Sequence, residues 1–352
     1  MSPHTYGLLA THITTIFHCG SLVNHVWEYS MLRAANVLGT TEIMRLALDP
    51  RGAVPTLHYV STISVINNGD ENTIESPDIL DNMGGYAQSK WVAEGRVRAA
   101  AAKGLLPATI HRPGLIGPDT WTGSANTNDW LIRFISGSIL IGGYLVADTK
   151  ANVCVTPVNH AAVMQLALSR SYDAALLKTE RKSAALPCPT YHTPITKKTN
   201  TLSLLENIEA SPELLGRRIR QWDPQEWKES LSELPPNNPL FPFKDGFKAG
   251  LGNVPSHDAK QTRVALKHAL DSGANLEMPA GSGGVHNAVL LGSPSGYTSD
   301  EVNRTVRFIM AANKLTADRP LLMRTQSLSR ENHLAAPALP DMVRSVSVAH
   351  NT

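Results

Sequence analysis

Residues 84–94 read GGYAQSKWVAE, a paired glycine turn that runs straight into a helix carrying Tyr86 and Lys90. Positions four apart share one face of a helix, so the phenol and the ammonium point into the same space. A free tyrosine titrates near about 10, and a cation held beside it favours the phenolate, which brings proton transfer toward neutral pH. The same spacing also describes an ordinary exposed helix face, so the neighbouring segments have to decide between the two.

Toward the N-terminus, residues 14–19, TTIFHC, form a β-branched and aromatic run that ends at Gly20 and reads as a buried strand. From Glu28 to Leu48 the apolar positions Leu32, Ala35, Gly39, Ile43 and Leu46 recur at helical steps, and Asp49-Pro50 stops the pattern. LHYVSTISV, residues 57–65, is a second β-rich run, followed by a polar loop from Asn67 to Gly85. The Tyr86 helix reaches Lys103-Gly104, a cation in the last turn and a C-cap glycine. ATIHR, residues 108–112, is the third strand, closed by Pro113-Gly114. Strands and helices alternating at these spacings predict a parallel sheet with right-handed crossovers.

Ligands of such sheets bind beyond the carboxyl ends of the strands. His18-Cys19-Gly20-Ser21, Ser61-Thr62 and Arg112-Pro113-Gly114 all fall there and would line one crevice. Each alone is an ordinary turn marker. Beside Tyr86 and Lys90 they make a candidate site.

With 352 residues the chain can hold one large domain or two smaller ones. A formal net charge of +2 gives no field for nucleic acid or an anionic membrane. Cys19, Cys154 and Cys188 are far apart and in no metal-ligand spacing, which suits a reducing compartment, and the histidines form no such cluster either. No basic segment followed by a long apolar run opens the chain, and no window is long and apolar enough to cross a bilayer. These features predict a cytoplasmic protein without a metal.

The sequence resembles the thioester reductase domains of the extended short-chain dehydrogenase/reductase superfamily. Such domains end fungal and bacterial peptide synthetases, aminoadipate reductases and carboxylic acid reductases. The resemblance rests on IFHCGSLVNHV, LRAANVLGTTEIMRLA, VSTISV, GYAQSKWVAE, HRPGLIGPDTWTGSANTNDW and VTPVNHAA, in the family's order. It continues through YHTP, QWDPQEWKESL and NPLFPF and fades near residue 315. The resemblance implies that Tyr86 donates a proton to the substrate oxygen and that Lys90 holds the nicotinamide ribose of NADP(H). Thr62 would hydrogen-bond the same oxygen as charge develops there, with Ser61 on the opposite face of an alternating strand. His18, Cys19, Gly20 and Ser21 would approach the adenosine half of the cofactor, and Pro113 and Gly114 the nicotinamide. Asn128 and Asp129 would meet the phosphopantetheine arm of an acyl carrier protein acting in trans, and Asn36 would either orient the site or hold backbone groups. The implied reaction is hydride transfer to the acyl thioester, giving an aldehyde and a carrier thiol.

A dinucleotide fold normally opens with a strand, a GxxGxxG turn and a helix that takes the pyrophosphate. Thirteen residues precede TTIFHC and contain none of these, and Gly281 to Gly284 reads as a loop. The expected architecture is therefore α/β: a partial Rossmann-like parallel sheet lacking its first strands, with a smaller, mostly helical C-terminal substrate subdomain. Residues 1–195 would form the N-terminally truncated dinucleotide-binding core with interleaved substrate loops, 196–315 the substrate subdomain and 316–352 a disordered tail. Residues 178–200 read as a solvated basic loop around one short strand at Thr190 to His192. Asp223 and Glu226 predict a capping box, and Trp222 and Trp227 core positions. A non-catalytic binding or scaffold protein, and a ketoreductase or epimerase of the same superfamily, are the competing readings.

Overall fold

The computed structural model describes residues 1–315 apart from 68, 179–184, 253, 255, 256 and 273–286. The expected tail at 316–352 and the Gly281 to Gly284 cluster lie outside the described residues. A short helix, α1 (Pro3–His12), leads into β1 (Thr15–His18), and α2 (Tyr29–Arg33) and α3 (Gly39–Ala47) carry the chain to β2 (Thr56–Val60). Helix α4 (Gly85–Ala102) then connects to β3 (Ala108–Arg112). After β4 (Ile116–Gly117) come α5 (Trp130–Ile141), β5 (Gly143–Tyr144), β6 (Asn152–Pro157) and α6 (Val158–Lys178), which returns to β7 (Thr190–His192). The rest is β8 (Lys197–Asn200), α7 (Thr201–Glu209), β9 (Arg220–Gln221), α8 (Pro224–Ser232), α9 (Lys260–Asp271), α10 (Asn287–Leu291) and α11 (Ser299–Ala312).

β1, β2, β3 and β7 form one parallel sheet in that order, with His18 opposite Tyr59 and Val60 opposite His111. The chain is thus α/β with a Rossmann-like parallel sheet. Leu57, Tyr59, Ala108 and Ile110 point to one face and pack on Ala47 of α3 and on Ala93, Val97 and Ala100 of α4. The alternate residues His58 and His111 face α6, where Tyr172 and Asp173 meet His58. A separate apolar core gathers Phe134 and Ile139 of α5, Val153 and Val155 of β6, Leu205 of α7, Trp227 of α8 and Val306 of α11. Trp227 is fully buried and donates to Phe247 O at 2.7 Å, which agrees with its core assignment, and the Asp223–Glu226 capping box is present.

Three local differences from the sequence reading have identifiable causes. The expected Glu28 to Leu48 helix is interrupted by a π-turn at Ala34–Leu38, which carries Asn36 into the interior. The second strand stops at Val60, because the Thr62 side chain accepts from Ser64 N at 3.2 Å and bends the chain into a 3₁₀ turn at Ile63–Val65. Within the basic run, Lys197–Asn200 pairs antiparallel with β6, and Lys197 is buried against Glu301 Oε2 at 2.8 Å. That lysine is an internal ion-pair partner and not part of a solvated loop. No described helix is long and apolar enough to cross a membrane.

One buried pair joins α4 to the sheet. Glu94 meets Arg112 of β3 through two bonds, Nη2 to Oε1 at 2.5 Å and Nε to Oε2 at 3.1 Å, and Arg112 Nη1 donates to Thr73 O at 2.9 Å. Removing one member of such a pair strands the other charge in a low-dielectric interior. Arg112→Leu is expected to cost about 3–5 kcal/mol in urea denaturation. Adding Glu94→Gln to that variant should recover part of the loss, and an unchanged urea midpoint in the single variant would remove the pair from this role.

Candidate active site

The crevice beyond the carboxyl ends of β1, β2 and β3 is built around the first turns of α4. Gly85 allows the approach: a Cβ there would lie 2.3 Å from Tyr29 N and 2.5 Å from Trp27 O, so only glycine lets the helix start against that backbone. Tyr86 follows, 8 % exposed, with the His25 ring edge-on at 5.3 Å. The Ser21 and Thr62 side chains are its hydroxyl neighbours.

Lys90 lies one turn further on and is 2 % exposed. Its Nζ donates to Val60 O at 2.7 Å and sits 4.3 Å from the centre of the Tyr59 ring. Burial lowers its pKa to about 7, with the Glu94 carboxylate acting in the opposite direction. The sequence reading expects this cation to lower the Tyr86 pKa; in the structure burial instead raises it, and the Ser21 and Thr62 hydroxyls bring it part of the way back. The cause is geometric, since the ammonium is directed at a carbonyl and at a different ring.

The other candidate residues have defined places. His18 ends β1, its Nε2 3.0 Å from Thr40 Oγ1; burial and then the charge of Lys90 lower its pKa to about 4. Cys19 is exposed, and its pKa is raised by desolvation although Lys90 pulls it down. Pro113 O accepts from Ile63 N at 2.8 Å, which ties the loops after β2 and β3 together. The open side of Gly114 is taken by His257, whose Cε1 would be 2.6 Å from an added Cβ. Asp129 caps α5 by accepting from Leu131 N at 2.9 Å, and burial raises its pKa to about 6. Asn128 accepts from Arg133 Nη2 at 2.5 Å. Thus Ser21 and Thr62 lie near Tyr86, Lys90 is buried one turn along α4 and turned to Val60, and Asn128 and Asp129 are engaged at the start of α5.

Asn36 resolves into the second of its two readings. Its Oδ1 accepts from Leu22 N at 2.7 Å, and its Nδ2 donates to Leu22 O at 3.1 Å and to Ser89 Oγ at 2.9 Å. The partners of Asn36, Leu22 and Ser89, were not legible in the sequence; the signal that could have found them is an asparagine inside an apolar helical run, which has to hold something.

The arrangement suits the nicotinamide-ribose end of a dinucleotide. Lys90 has three N–H groups and spends one on Val60, which leaves donors for ribose hydroxyls. Among the described residues no glycine-rich turn opens a helix toward this crevice in the manner of a pyrophosphate cradle. None of the described His, Cys, Asp and Glu residues gather in a group that could hold a metal ion.

Residues 1–164 match the family profile described as male sterility protein, an NAD-binding domain. L-2-aminoadipate reductase of Saccharomyces cerevisiae is 34 % identical over 176 residues, 46 % of this chain and 12 % of that protein. The non-canonical nonribosomal peptide synthetase FrzA of Cladobotryum is 30 % identical over 284 residues, 74 % of this chain and 26 % of its own. The chain therefore spans a minor part of these relatives' length. Among solved structures, the terminal R domain of the myxalamid PKS-NRPS pathway is 28 % identical with a TM-score of 0.62, covering 91 % of this chain and 73 % of that one. The peptide synthetase reductase domain of Mycobacterium tuberculosis shares the fold at a TM-score of 0.64 and 21 % identity, covering 90 % and 73 %.

The Lys90 environment sets a pH signature. In the fold Lys90 loses its proton near about 7, well below an ordinary lysine, so above that pH the unfolded chain binds more protons and stability from this site rises with pH. Lys90→Met should therefore exceed the native protein in urea stability at about pH 6, and the gap should narrow by about pH 9. A gap that stays constant across that range would contradict the buried-ammonium assignment.

Proposed function

Because the chain belongs to the thioester reductase domains of the extended short-chain dehydrogenase/reductase superfamily, we propose that it reduces a carrier-bound acyl thioester to an aldehyde with NADPH, in secondary metabolism. The observation that carries this reading is the convergence of Thr62, Tyr86 and Lys90 in one crevice, on three polar side chains that are otherwise costly to bury.

Bound NADPH supplies the hydride. Lys90 would hold the ribose with the N–H groups not spent on Val60, an interaction that would favour its charged form. Thr62 and Tyr86 hold the thioester oxygen between them. As the carbonyl carbon accepts hydride, negative charge gathers on that oxygen, and Tyr86 transfers its proton to it. Burial, by raising the phenol's pKa, keeps it protonated and ready at neutral pH. The resulting hemithioacetal breaks its C–S bond, the hydroxyl gives up its proton, and the sulfur leaves as the thiol. His18, Cys19, Gly20 and Ser21 would approach the adenosine half of the cofactor and Pro113 and Gly114 the nicotinamide, with the open side of Gly114 taken by His257. Relatives named as peptide synthetases, and a solved thiolation-reductase di-domain that shares the fold, support an acyl carrier protein with a phosphopantetheine arm as the partner, here in trans.

The test combines NADPH titration with an acyl-pantetheine thioester assay in which the aldehyde is trapped as it forms. Tyr86→Phe is expected to lower turnover by about 10²–10⁴-fold with NADPH affinity unchanged. Full activity in that variant would overturn the proton-donor role. Neither binding nor turnover from a folded native protein would leave a binding or scaffold role in its place.

A further inference from the structure

The side chain that takes the open side of Gly114 comes from the C-terminal half of the chain, and its ring is held in one tautomer. His257 Nε2 lies 2.9 Å from the carbonyl oxygen of Thr193, just past β7, so that nitrogen carries the hydrogen and donates it. His192, which ends β7, returns the bond: its Nδ1 donates to Asp258 O at 2.7 Å, and its backbone N–H donates to Thr262 Oγ1 at 2.9 Å. The two rings meet edge to face, 5.8 Å between centres. Helix α9 begins at Ala259 without a side-chain cap of its own, and the buried Glu71 supplies one from the loop before α4, accepting from Thr262 N at 2.8 Å. His257 is thus held in place from β7 and from the loop that leads to the site helix.

Burial lowers the His257 pKa, so the ring is neutral at physiological pH and Nδ1 carries a lone pair. The Nδ1–Cε1 edge faces Gly114, these two atoms standing 3.1 and 2.6 Å from the place of an added Cβ. Among the described residues no group donates to His257 Nδ1, and none accepts from the backbone N–H of Gly114. An unused acceptor and an unused donor therefore adjoin each other in the loop after β3. A primary carboxamide carries the complementary pair, N–H donors and a carbonyl acceptor, on one planar group.

We propose that His257 is a cofactor-binding residue whose Nδ1 accepts from the carboxamide N–H of the nicotinamide, while the Gly114 N–H donates to the carboxamide oxygen. The inference rests on the cofactor reading above, in which Pro113 and Gly114 adjoin the nicotinamide. The thioester carbonyl has no donor to offer and cannot meet Nδ1. Two bonds of opposite sense fix which way round the carboxamide lies, and with it the placing of the ring that delivers hydride. The C-terminal half of the chain thereby takes part in recognising the cofactor.

The experiment measures, by titration calorimetry, the binding of NADP⁺ and of its acetylpyridine analogue, which keeps the carbonyl and has a methyl group in place of the amide nitrogen. The native protein is compared with His257→Leu and His257→Asn. Native protein should bind NADP⁺ about threefold to tenfold more tightly than the analogue. His257→Leu should abolish that preference by weakening NADP⁺ alone, whereas a ring with a merely structural role would move both affinities together. His257→Asn, which puts an amide oxygen about where Nδ1 stood, should keep the preference. Equal affinity of the native protein for the two nucleotides, or a preference that survives His257→Leu, overturns the proposal. A folded native protein that binds neither nucleotide removes the cofactor reading itself, so the two failures are told apart.

Discussion

Taking the Lys90 ammonium out of water is unfavourable unless neighbouring groups replace its hydration, and much of the molecule's polar interior follows from that requirement. One N–H goes to Val60 O, the face of Tyr59 lies under the charge, and Glu94 supplies a carboxylate one helical turn away. Even so, desolvation outweighs these contributions and the pKa falls. A lysine in that condition gains most from further donors and acceptors entering the crevice. A hydroxyl or negative charge brought against Lys90 would favour its charged form.

Glu94 is as deeply buried as the lysine it serves, and the same reasoning moves one layer inward. Arg112 binds it bidentately, Arg98 adds two bonds at 3.0 and 3.1 Å, and together they hold its pKa below the usual carboxylate value against the effect of burial. Arg112 in turn reaches Thr73 O in the loop that leads to α4. Position along one helix therefore orders the tasks: Tyr86 at the mouth, Lys90 in the crevice, Glu94 on the sheet. A shift of α4 by a single residue would break all three sets of contacts at once, so the packing of Ala93, Val97 and Ala100 on Leu57 and Ile110 also fixes the site.

The parts of this arrangement that were legible in the sequence are those set by local periodicity. TTIFHC and ATIHR read as strands because three or more β-branched or apolar positions run together, and Tyr86 with Lys90 read as a face because helical spacing is independent of context. Gly104 closes α4 with a φ of 69°, as a C-cap glycine should. What stayed hidden depends on contacts distant in sequence. The π-turn at Asn36 is supported by the Leu22 backbone and Ser89, fourteen and fifty-three residues away. β8 pairs with β6 across some forty residues of helix and loop, so Lys197 looked solvated until its partner Glu301 was placed beside it. β2 ends at Val60, beside the Ser61-Thr62 pair read at its carboxyl end, and the 3₁₀ turn that follows was hidden because one threonine hydroxyl offered the backbone an alternative to the ladder.

Burial acts in opposite chemical senses on the imidazoles around the sheet and on the Tyr86 phenol. On the face toward α6, His58 Nδ1 and His111 Nε2 both meet Thr109 Oγ1, at 2.8 and 2.9 Å. A hydroxyl has one proton to give, so one ring accepts from it and the other donates to it, which couples the two tautomers: both rings carry the proton on Nε2 or both on Nδ1. Burial, and then the neighbouring His58, lower the His111 pKa to about 3, and burial with the Lys90 charge lowers that of His18 to about 4. His111 and His18 are neutral at physiological pH and lack the labile proton of an imidazolium. Tyr86 is shifted in the opposite chemical sense: burial opposes its charged form as well, but for a phenol that form is the deprotonated one. The same low dielectric that disarms histidine as an acid therefore keeps tyrosine protonated until a stronger base, such as an oxygen receiving hydride, is placed against it.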